Sequence, residues 1–124
     1  MKTKILVVDD EWSMQELLKH TLSLSDFDVR VAGNEVEFRQ QVFDQKPDVI
    51  ILDIMLGDED GPKVYDKLLS EGLDKNIPVV FLSALAQDQP SSPPRPDRQF
   101  ALLAKPFDPD ELVGQLRHLV DSKR

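Results

Sequence analysis

Short apolar runs alternate along the chain with longer segments in which apolar residues recur at helical spacing. The apolar run at residues 5–8 is closed by acidic residues and predicts a strand that is buried on both faces. The next segment carries Leu18 and Leu22 on one side, which predicts a helix capped by Ser13 or Asp10. The chain therefore opens with a strand followed by a helix.

This alternation continues to the last residues. Further strands are predicted at residues 28–32, 48–52, 77–82 and 100–104, and further helices at 35–45, from Pro62 to Gly72 and from Pro109 onward. Buried strands that alternate with helices imply a parallel sheet covered on both faces, with right-handed crossovers. The pattern predicts a doubly wound α/β domain of the flavodoxin-like class, with five strands in the order 2-1-3-4-5.

The composition narrows the classes of function. A chain of 124 residues predicts one domain with one core. It has no Cys, which excludes disulfides and thiolate metal sites. A net charge of −8 argues against direct nucleic acid binding, and no apolar run reaches the roughly 18 residues of a membrane span. We expect a cytoplasmic protein that does not insert into membranes.

Polar residues follow four of the predicted strands. Asp9 and Asp10 follow the first strand, Asp53 the third, Ser83 the fourth and Lys105 the fifth. In a doubly wound sheet, ligands bind at the carboxyl ends of the strands near the point where the strand order reverses. We expect these five residues to meet in one shallow pocket.

The residue types in this set point to one kind of chemistry. A single aspartate at a strand end often only caps a helix, but three carboxylates held together favour a proton or a shared cation. Mg²⁺ is the natural cation, because it prefers oxygen ligands. An ionised Asp53 could then attack phosphorus, while Lys105 neutralises phosphoryl oxygens and the Ser83 hydroxyl donates a hydrogen bond. The set predicts phosphoryl transfer onto a carboxylate.

Four motifs, VVDDE, DIMLGDEDG, FLSA and AKPF, resemble in order and spacing the signatures of the response regulator receiver domain. The resemblance covers essentially the whole chain. It implies a domain that takes a phosphoryl group from a phosphohistidine on a sensor histidine kinase or histidine phosphotransfer protein. It also implies a switch that changes its affinity for a partner and dephosphorylates itself slowly, rather than a metabolic enzyme.

The resemblance assigns roles to the matching positions. Asp53 corresponds to the phosphoacceptor, and Asp9 and Asp10 to the acidic pair that holds Mg²⁺. Met55 would coordinate the metal through its backbone carbonyl oxygen. Ser83 stands where the family has Ser or Thr.

Further positions follow from the same comparison. Lys105 matches the lysine that precedes a cis proline, here Pro106. Met55 and Leu85 would flank the phosphoryl group, and neither side chain can position a water molecule. We therefore expect slow self-dephosphorylation.

The sequence departs from the family in the segment between Ser83 and Lys105. Residues 89–96 contain four prolines, each without an amide donor, and an interior proline costs a helix roughly 3 kcal/mol. We expect a proline-rich loop in place of the fourth helix. Leu102 stands where the family has the aromatic residue that turns inward on phosphorylation. Phe100 could substitute for that residue only in part, and we interpret it as a core residue. We expect altered signal transmission, and we do not infer from the resemblance that this protein forms a dimer.

The sequence is compatible with three functions. The first is a phosphoacceptor switch, and its rival is a pseudo-receiver that docks a partner without phosphorylation. The third is a magnesium-dependent phosphatase, for which no acid or base is apparent near Asp53. Trp12 is read either as a neighbour of the metal or as packing against the first helix. We expect residues 1–124 to form a single receiver domain with no effector domain.

Overall fold

The structure, a computed structural model, describes residues 2–83, 100–104 and 108–123, with the backbone alone at 83, 100–104, 122 and 123. Within these residues, strands and helices alternate as the apolar pattern predicts. The strands are β1 (Thr3–Val8), β2 (Phe27–Ala32), β3 (Val49–Asp53), β4 (Met55–Leu56), β5 (Glu59–Asp60), β6 (Val79–Ser83) and β7 (Phe100–Ala104). The helices are α1 (Trp12–Leu24), α2 (Glu35–Gln45), α3 (Gly61–Ser70) and α4 (Pro109–Lys123).

Five of these strands form one parallel sheet in the order β2-β1-β3-β6-β7. Because β6 and β7 are the fourth and fifth strands of this sheet along the chain, this confirms the predicted flavodoxin-like order 2-1-3-4-5. In the register, Val8 pairs with Leu52, and Leu52 pairs with Phe81. The carboxyl ends of β1, β3 and β6 therefore reach the same edge of the sheet, where the polar residues were expected to gather.

The sheet is buried on both faces. Ile5 and Val7 of β1 belong to a core cluster with residues of α1 and α4, whereas Leu6 and Val8 belong to a second cluster with residues of α2 and α3. Alternate residues of a strand point to opposite faces, so a strand covered on both sides must be apolar at every position. The continuous apolar runs of the sequence have this origin.

The start of α1 differs from expectation. Its N-cap is Glu11, which makes no capping hydrogen bond through its side chain, so neither Ser13 nor Asp10 caps the helix. The Glu11 amide instead donates a 2.9 Å hydrogen bond to Oδ1 of Asp9. The side chain of Asp9 thus binds the backbone just before the helix.

A short antiparallel hairpin, β4–β5, connects β3 to α3. Met55 pairs with Asp60, and the turn contains Gly57 at a φ of 64°. Within the acidic run at residues 58–60, Asp58 and Glu59 are exposed. Asp60 is instead half-buried and caps α3, because its Oδ1 accepts a 3.0 Å hydrogen bond from the Lys63 amide.

The proline-rich segment at 89–96, and with it the expected loop in place of a fourth helix, lies outside the described residues. In the part of the chain that the structure does describe, no helix combines the length and the apolar composition that crossing a bilayer requires.

Candidate functional site

Three carboxylates gather at the carboxyl edge of the sheet. Asp9 directly follows β1, Asp10 comes next, and Asp53 is the last residue of the neighbouring strand β3. One carboxylate oxygen from each residue lies within 4.8 Å of the others. The structure thus brings together the three acidic residues that the sequence placed in one pocket.

The three side chains lie at different depths. Asp9 has an exposed fraction of 0% and Asp53 of 4%, whereas Asp10 is exposed to solvent. Buried carboxylates are costly unless hydrogen bonds or opposite charges compensate them. The cluster therefore has a buried inner part, with Asp10 on its solvent side.

The cluster fits a divalent metal ion. Its donors are all carboxylate oxygens, and hard cations such as Mg²⁺ are commonly held by one or two carboxylates together with water. The hairpin turn comes close to this cluster, since a β-carbon on Gly57 would lie 3.9 Å from Oδ2 of Asp10. These residues could bind a metal ion at the edge of the sheet.

The backbone around Asp53 orients its carboxylate. Asp53 pairs with Leu82 in the sheet, and the amide of Ile54 donates a 2.9 Å hydrogen bond to the Leu82 carbonyl. The amide of Met55 donates a 3.2 Å hydrogen bond to Oδ1 of Asp53. The carboxylate is thus held by the first residue of the hairpin, while the Met55 side chain is 47% exposed beside it.

Asp9 accepts hydrogen bonds both at its side chain and at its backbone carbonyl, and the second donor lies in α1. Its Oδ1 accepts from the Glu11 amide at 2.9 Å, and its backbone carbonyl accepts from Nε2 of Gln15 at 2.6 Å. Gln15 was not singled out from the sequence. A glutamine in the first turns of a helix is ordinary, and only the packing of α1 against the end of β1 gives it this partner.

The remaining site residues predicted from the sequence are described only in part. Ser83 ends β6 at the same edge as Asp53 and pairs with Ala104 of β7, but its side chain is not described. Lys105 and Leu85 lie outside the described residues, as does Pro106. Their roles in the site stay predictions.

Two of the predicted switch residues, Phe100 and Leu102, lie on β7. The backbone of Phe100 pairs with Val79, and that of Leu102 with Phe81. Both residues therefore belong to the strand on which they were expected, at alternate positions. Their side chains are not described, so their part in a switch stays a prediction.

Trp12 lies on the surface. It is 73% exposed as the first residue of α1, which contradicts the reading of this side chain as packed against the helix. His20 and His118 are also exposed. Trp12 starts the helix two residues after Asp10, so it can serve as a probe next to the acidic cluster.

A network of charged residues links α2 to α3 beside the hairpin. The Arg39 guanidinium forms a fork on the Glu71 carboxylate, with Nε–Oε1 at 2.8 Å and Nη2–Oε2 at 3.0 Å. Oε2 of Glu35 accepts from Nη1 of Arg39 at 3.1 Å and from Nζ of Lys67 at 3.2 Å. Both carboxylates are therefore held by cations.

These contacts shift pKa values in opposite directions. The hydrogen bond from Lys67 lowers the pKa of Glu35, and the fork with Arg39 lowers the pKa of Glu71. The pKa of Glu59, in the hairpin, is raised because its carboxyl shares a hydrogen bond with the Glu35 carboxylate. The hairpin next to Asp53 thus carries an acid whose pKa is raised by a neighbouring carboxylate.

Comparison with known proteins agrees with this geometry. A model of the family described as the response regulator receiver domain matches residues 5–117. The DNA-binding dual master transcriptional regulator RpaA of Synechocystis is 31% identical over 117 residues, which cover 94% of this chain and 48% of RpaA. The chain spans about half the length of the curated relatives it matches.

Solved structures share the fold. The BeF₃-activated N-terminal receiver domain of Klebsiella pneumoniae RstA superposes with a TM-score of 0.75 at 26% identity, covering 95% of this chain and 98% of that domain. A CheY-like receiver domain protein from Methanospirillum hungatei superposes with a TM-score of 0.87 at 20% identity, covering 99% of this chain and 97% of that protein. With the sheet order and the family match over residues 5–117, these comparisons show that the chain belongs to the response regulator receiver domain family.

Proposed function

We propose that this domain is the phosphoacceptor switch of a two-component phosphorelay, with Asp53 as the phosphorylated residue. One observation carries the proposal. The Asp53 carboxylate is 4% exposed at the end of the central strand, and its oxygen lies within 4.8 Å of the Asp9 and Asp10 carboxylates. An acid enclosed among other acids suits chemistry that uses a cation and a phosphoryl group.

The proposed reaction transfers a phosphoryl group from a histidine to Asp53. A carboxylate oxygen of Asp53 attacks the phosphorus of a phosphohistidine, and an O–P bond forms. The N–P bond breaks, and its electron pair stays on the imidazole nitrogen, so the ring leaves neutral when its other nitrogen carries a proton. The products are an aspartyl phosphate and an unmodified histidine.

Residues of this chain would orient and stabilise the reacting groups. The Met55 amide holds Oδ1 of Asp53 at 3.2 Å and thereby fixes the plane of the attacking carboxylate. Mg²⁺ bound by Asp9, Asp10, Asp53 and the Met55 carbonyl would supply charge neutralisation at the phosphoryl oxygens. On the family resemblance, we assign Ser83 and Lys105 to contacts with those same oxygens.

The phosphoryl donor and the effect of phosphorylation on partner binding follow from the assignment of Asp53 as the phosphoacceptor. The donor is a phosphohistidine on a sensor histidine kinase or a histidine phosphotransfer protein, and such phosphorylation places the domain in the cytoplasm. Phosphorylation would change the affinity for a protein partner through Ser83, Leu102 and Phe100. With a net charge of −8, the domain itself would not bind nucleic acid.

The test is phosphorylation by acetyl phosphate in the presence of Mg²⁺, followed by intact mass. We expect the wild-type chain to gain one phosphoryl group and Asp53→Asn to gain none. Asp58→Asn is the matched control, because Asp58 is an exposed aspartate in the adjoining hairpin turn. It should be phosphorylated as the wild type is.

Other outcomes would identify other functions. Absence of both a mass gain and a response to Mg²⁺ would contradict the proposal and favour the pseudo-receiver, which docks its partner without phosphorylation. Steady release of phosphate from a small phosphoester would favour a phosphatase.

A further inference from the structure

The peptide that joins Asp9 to Asp10 lies just beyond the sheet. The amide of Asp9 extends the ladder by one hydrogen bond, 3.0 Å to the carbonyl of Ala32, and β2 ends at that residue. The carbonyl of Asp9 therefore points out of the ladder. Because Asp9 is fully buried, its carbonyl needs a partner from another element.

Gln15 supplies that partner. Its Nε2 donates a 2.6 Å hydrogen bond to the Asp9 carbonyl, and its own amide donates to the Glu11 carbonyl at 3.1 Å, so its backbone is fixed in the first turn of α1. Helical side chains lean toward the N-terminus of their helix, which here is the end of β1. The direction of the Gln15 amide therefore follows from the helix.

Gly33 makes room for this amide. A β-carbon at Gly33 would lie 3.1 Å from Nε2 of Gln15, closer than most such contacts. The Gly33 backbone has little freedom to move away, because its amide donates a 2.7 Å hydrogen bond to Oε1 of Glu37. Glu37 is itself fixed, since its amide donates to Oδ1 of Asn34, the N-cap of α2, at 2.9 Å.

We propose that Gln15 is a positioning residue for the Asp9 and Asp10 carboxylates, and that the absence of a side chain at Gly33 is what admits it. The hydrogen bond from Gln15 fixes the peptide bond between Asp9 and Asp10, and the Glu11 amide donates a hydrogen bond to Oδ1 of Asp9. The two carboxylates would thus be held in place to bind one cation. This inference rests on the proposed function, in which the pair holds Mg²⁺.

The test is a calorimetric titration of the full chain with Mg²⁺, comparing the wild type with Gln15→Leu. Leucine keeps most of the side-chain volume but removes the donor. Outer partners of metal ligands typically contribute about tenfold or more to metal affinity, so we expect Kd to rise by about tenfold. Gln40→Leu makes the same change at an exposed position of α2 and should leave Kd unchanged.

A second variant tests the role of Gly33 and does not remove the glutamine. Gly33→Ala should weaken Mg²⁺ binding in the same direction as Gln15→Leu. In a Gln15→Ala background, which removes the crowded amide, Gly33→Ala should have no further effect on Kd. Additive effects of the two changes would overturn the link between these residues.

The outcomes separate this inference from the function beneath it. A merely structural Gln15 would lower the melting temperature of the metal-free protein and leave the Kd of the folded protein unchanged, which would overturn the positioning role alone. If the wild type takes up no Mg²⁺, the proposed metal site fails and the positioning role fails with it. If Gln15→Leu does not fold, an unchanged Kd in Gly33→Ala still overturns the inference.

Discussion

A β-carbon on Gly61 would overlap the backbone carbonyl oxygen of Asp53. The two residues are this close because the Gly61 amide donates a 2.6 Å hydrogen bond to the carbonyl of Ile54, which closes the hairpin onto the end of β3. The start of α3 is therefore in direct contact with the backbone of the proposed phosphoacceptor. Any side chain at this position must displace one of the two.

Gly61→Ala is expected to lower the free energy of unfolding by about 1–3 kcal/mol, the usual cost of overpacking. It should also slow phosphorylation by roughly tenfold or more, because the carboxylate of Asp53 moves with its backbone. Denaturant unfolding and intact mass after acetyl phosphate measure the two effects.

Gly114→Ala is the control for that substitution. No atom lies within 4 Å of a β-carbon at Gly114, which is in α4. The change should leave phosphorylation unaltered and stabilise the protein by up to about 1 kcal/mol, since alanine favours the helix. Equal phosphorylation rates in both variants would contradict the prediction.

Mg²⁺ is expected to raise the melting temperature, and a chelator should reverse the rise. A ligand at a hundred times its Kd stabilises the folded state by about 2.7 kcal/mol. Asp10→Asn should make the metal-free protein more stable, because it relieves repulsion among three carboxylates, and should remove most of the response to Mg²⁺.

Thermal unfolding with and without Mg²⁺ measures both changes. Asp44→Asn, at an exposed position of α2, serves as the control and should respond to Mg²⁺ as the wild type does. A full response to Mg²⁺ in Asp10→Asn would show that the ion binds elsewhere.

Glu59→Gln is expected to stabilise the protein at pH 7 by a small amount. The pKa of Glu59 is raised in the folded protein by its hydrogen bond with Glu35, so its favourable contribution is complete below the ordinary value of 4.5 and is lost as the pH rises through the raised pKa. At neutral pH the two carboxylates repel each other. The side-chain amide of the introduced glutamine can donate a hydrogen bond to the Glu35 carboxylate at every pH.

The pH dependence distinguishes this cause from others. The gain in melting temperature should be a few degrees at most because Glu59 is exposed, and it should disappear as the pH falls below 4.5. A gain that is the same at pH 4 and pH 7, two pH values chosen on either side of that range, would exclude the repulsion between Glu59 and Glu35 as its origin.

Met55→Asn is expected to shorten the lifetime of the aspartyl phosphate on the order of tenfold, since an amide can position a water molecule and a thioether cannot. Met55 is 47% exposed beside Asp53, so the substitution should be tolerated. Val36→Asn, on an exposed position of α2, is the control. The decay of the phosphorylated mass after removal of acetyl phosphate provides the measurement, and an unchanged lifetime would remove the basis for this prediction.

The apolar pattern was sufficient to predict the sheet and the edge where the acids meet. The strands that are covered on both faces are apolar throughout, so they stand out in the sequence and the polar residues after them mark one edge. Asp9, Asp10 and Asp53 were found in this way.

The details missed from the sequence depend on contacts between elements. The strands of the hairpin β4–β5 are two residues long, too short for a periodic pattern, and only Gly57 with its positive φ marks the turn. The expected cap at Ser13 or Asp10 failed because the N-cap is Glu11, so that Ser13 lies inside the helix and Asp10 lies before the N-cap. Gln15 reaches the Asp9 carbonyl only because α1 packs beside the end of β1.

The different depths of Asp9 and Asp10 bear on how the site could be redesigned. An ion arriving from bulk water would meet Asp10 first, and on release it would leave Asp10 last. Exchange of the ion should therefore be governed mainly by the outer carboxylate, which is in contact with solvent. In the proposed metal site, Asp10 is the position at which the ligand can be exchanged with little disturbance of the hydrophobic interior, because it is exposed whereas Asp9 and Asp53 are buried.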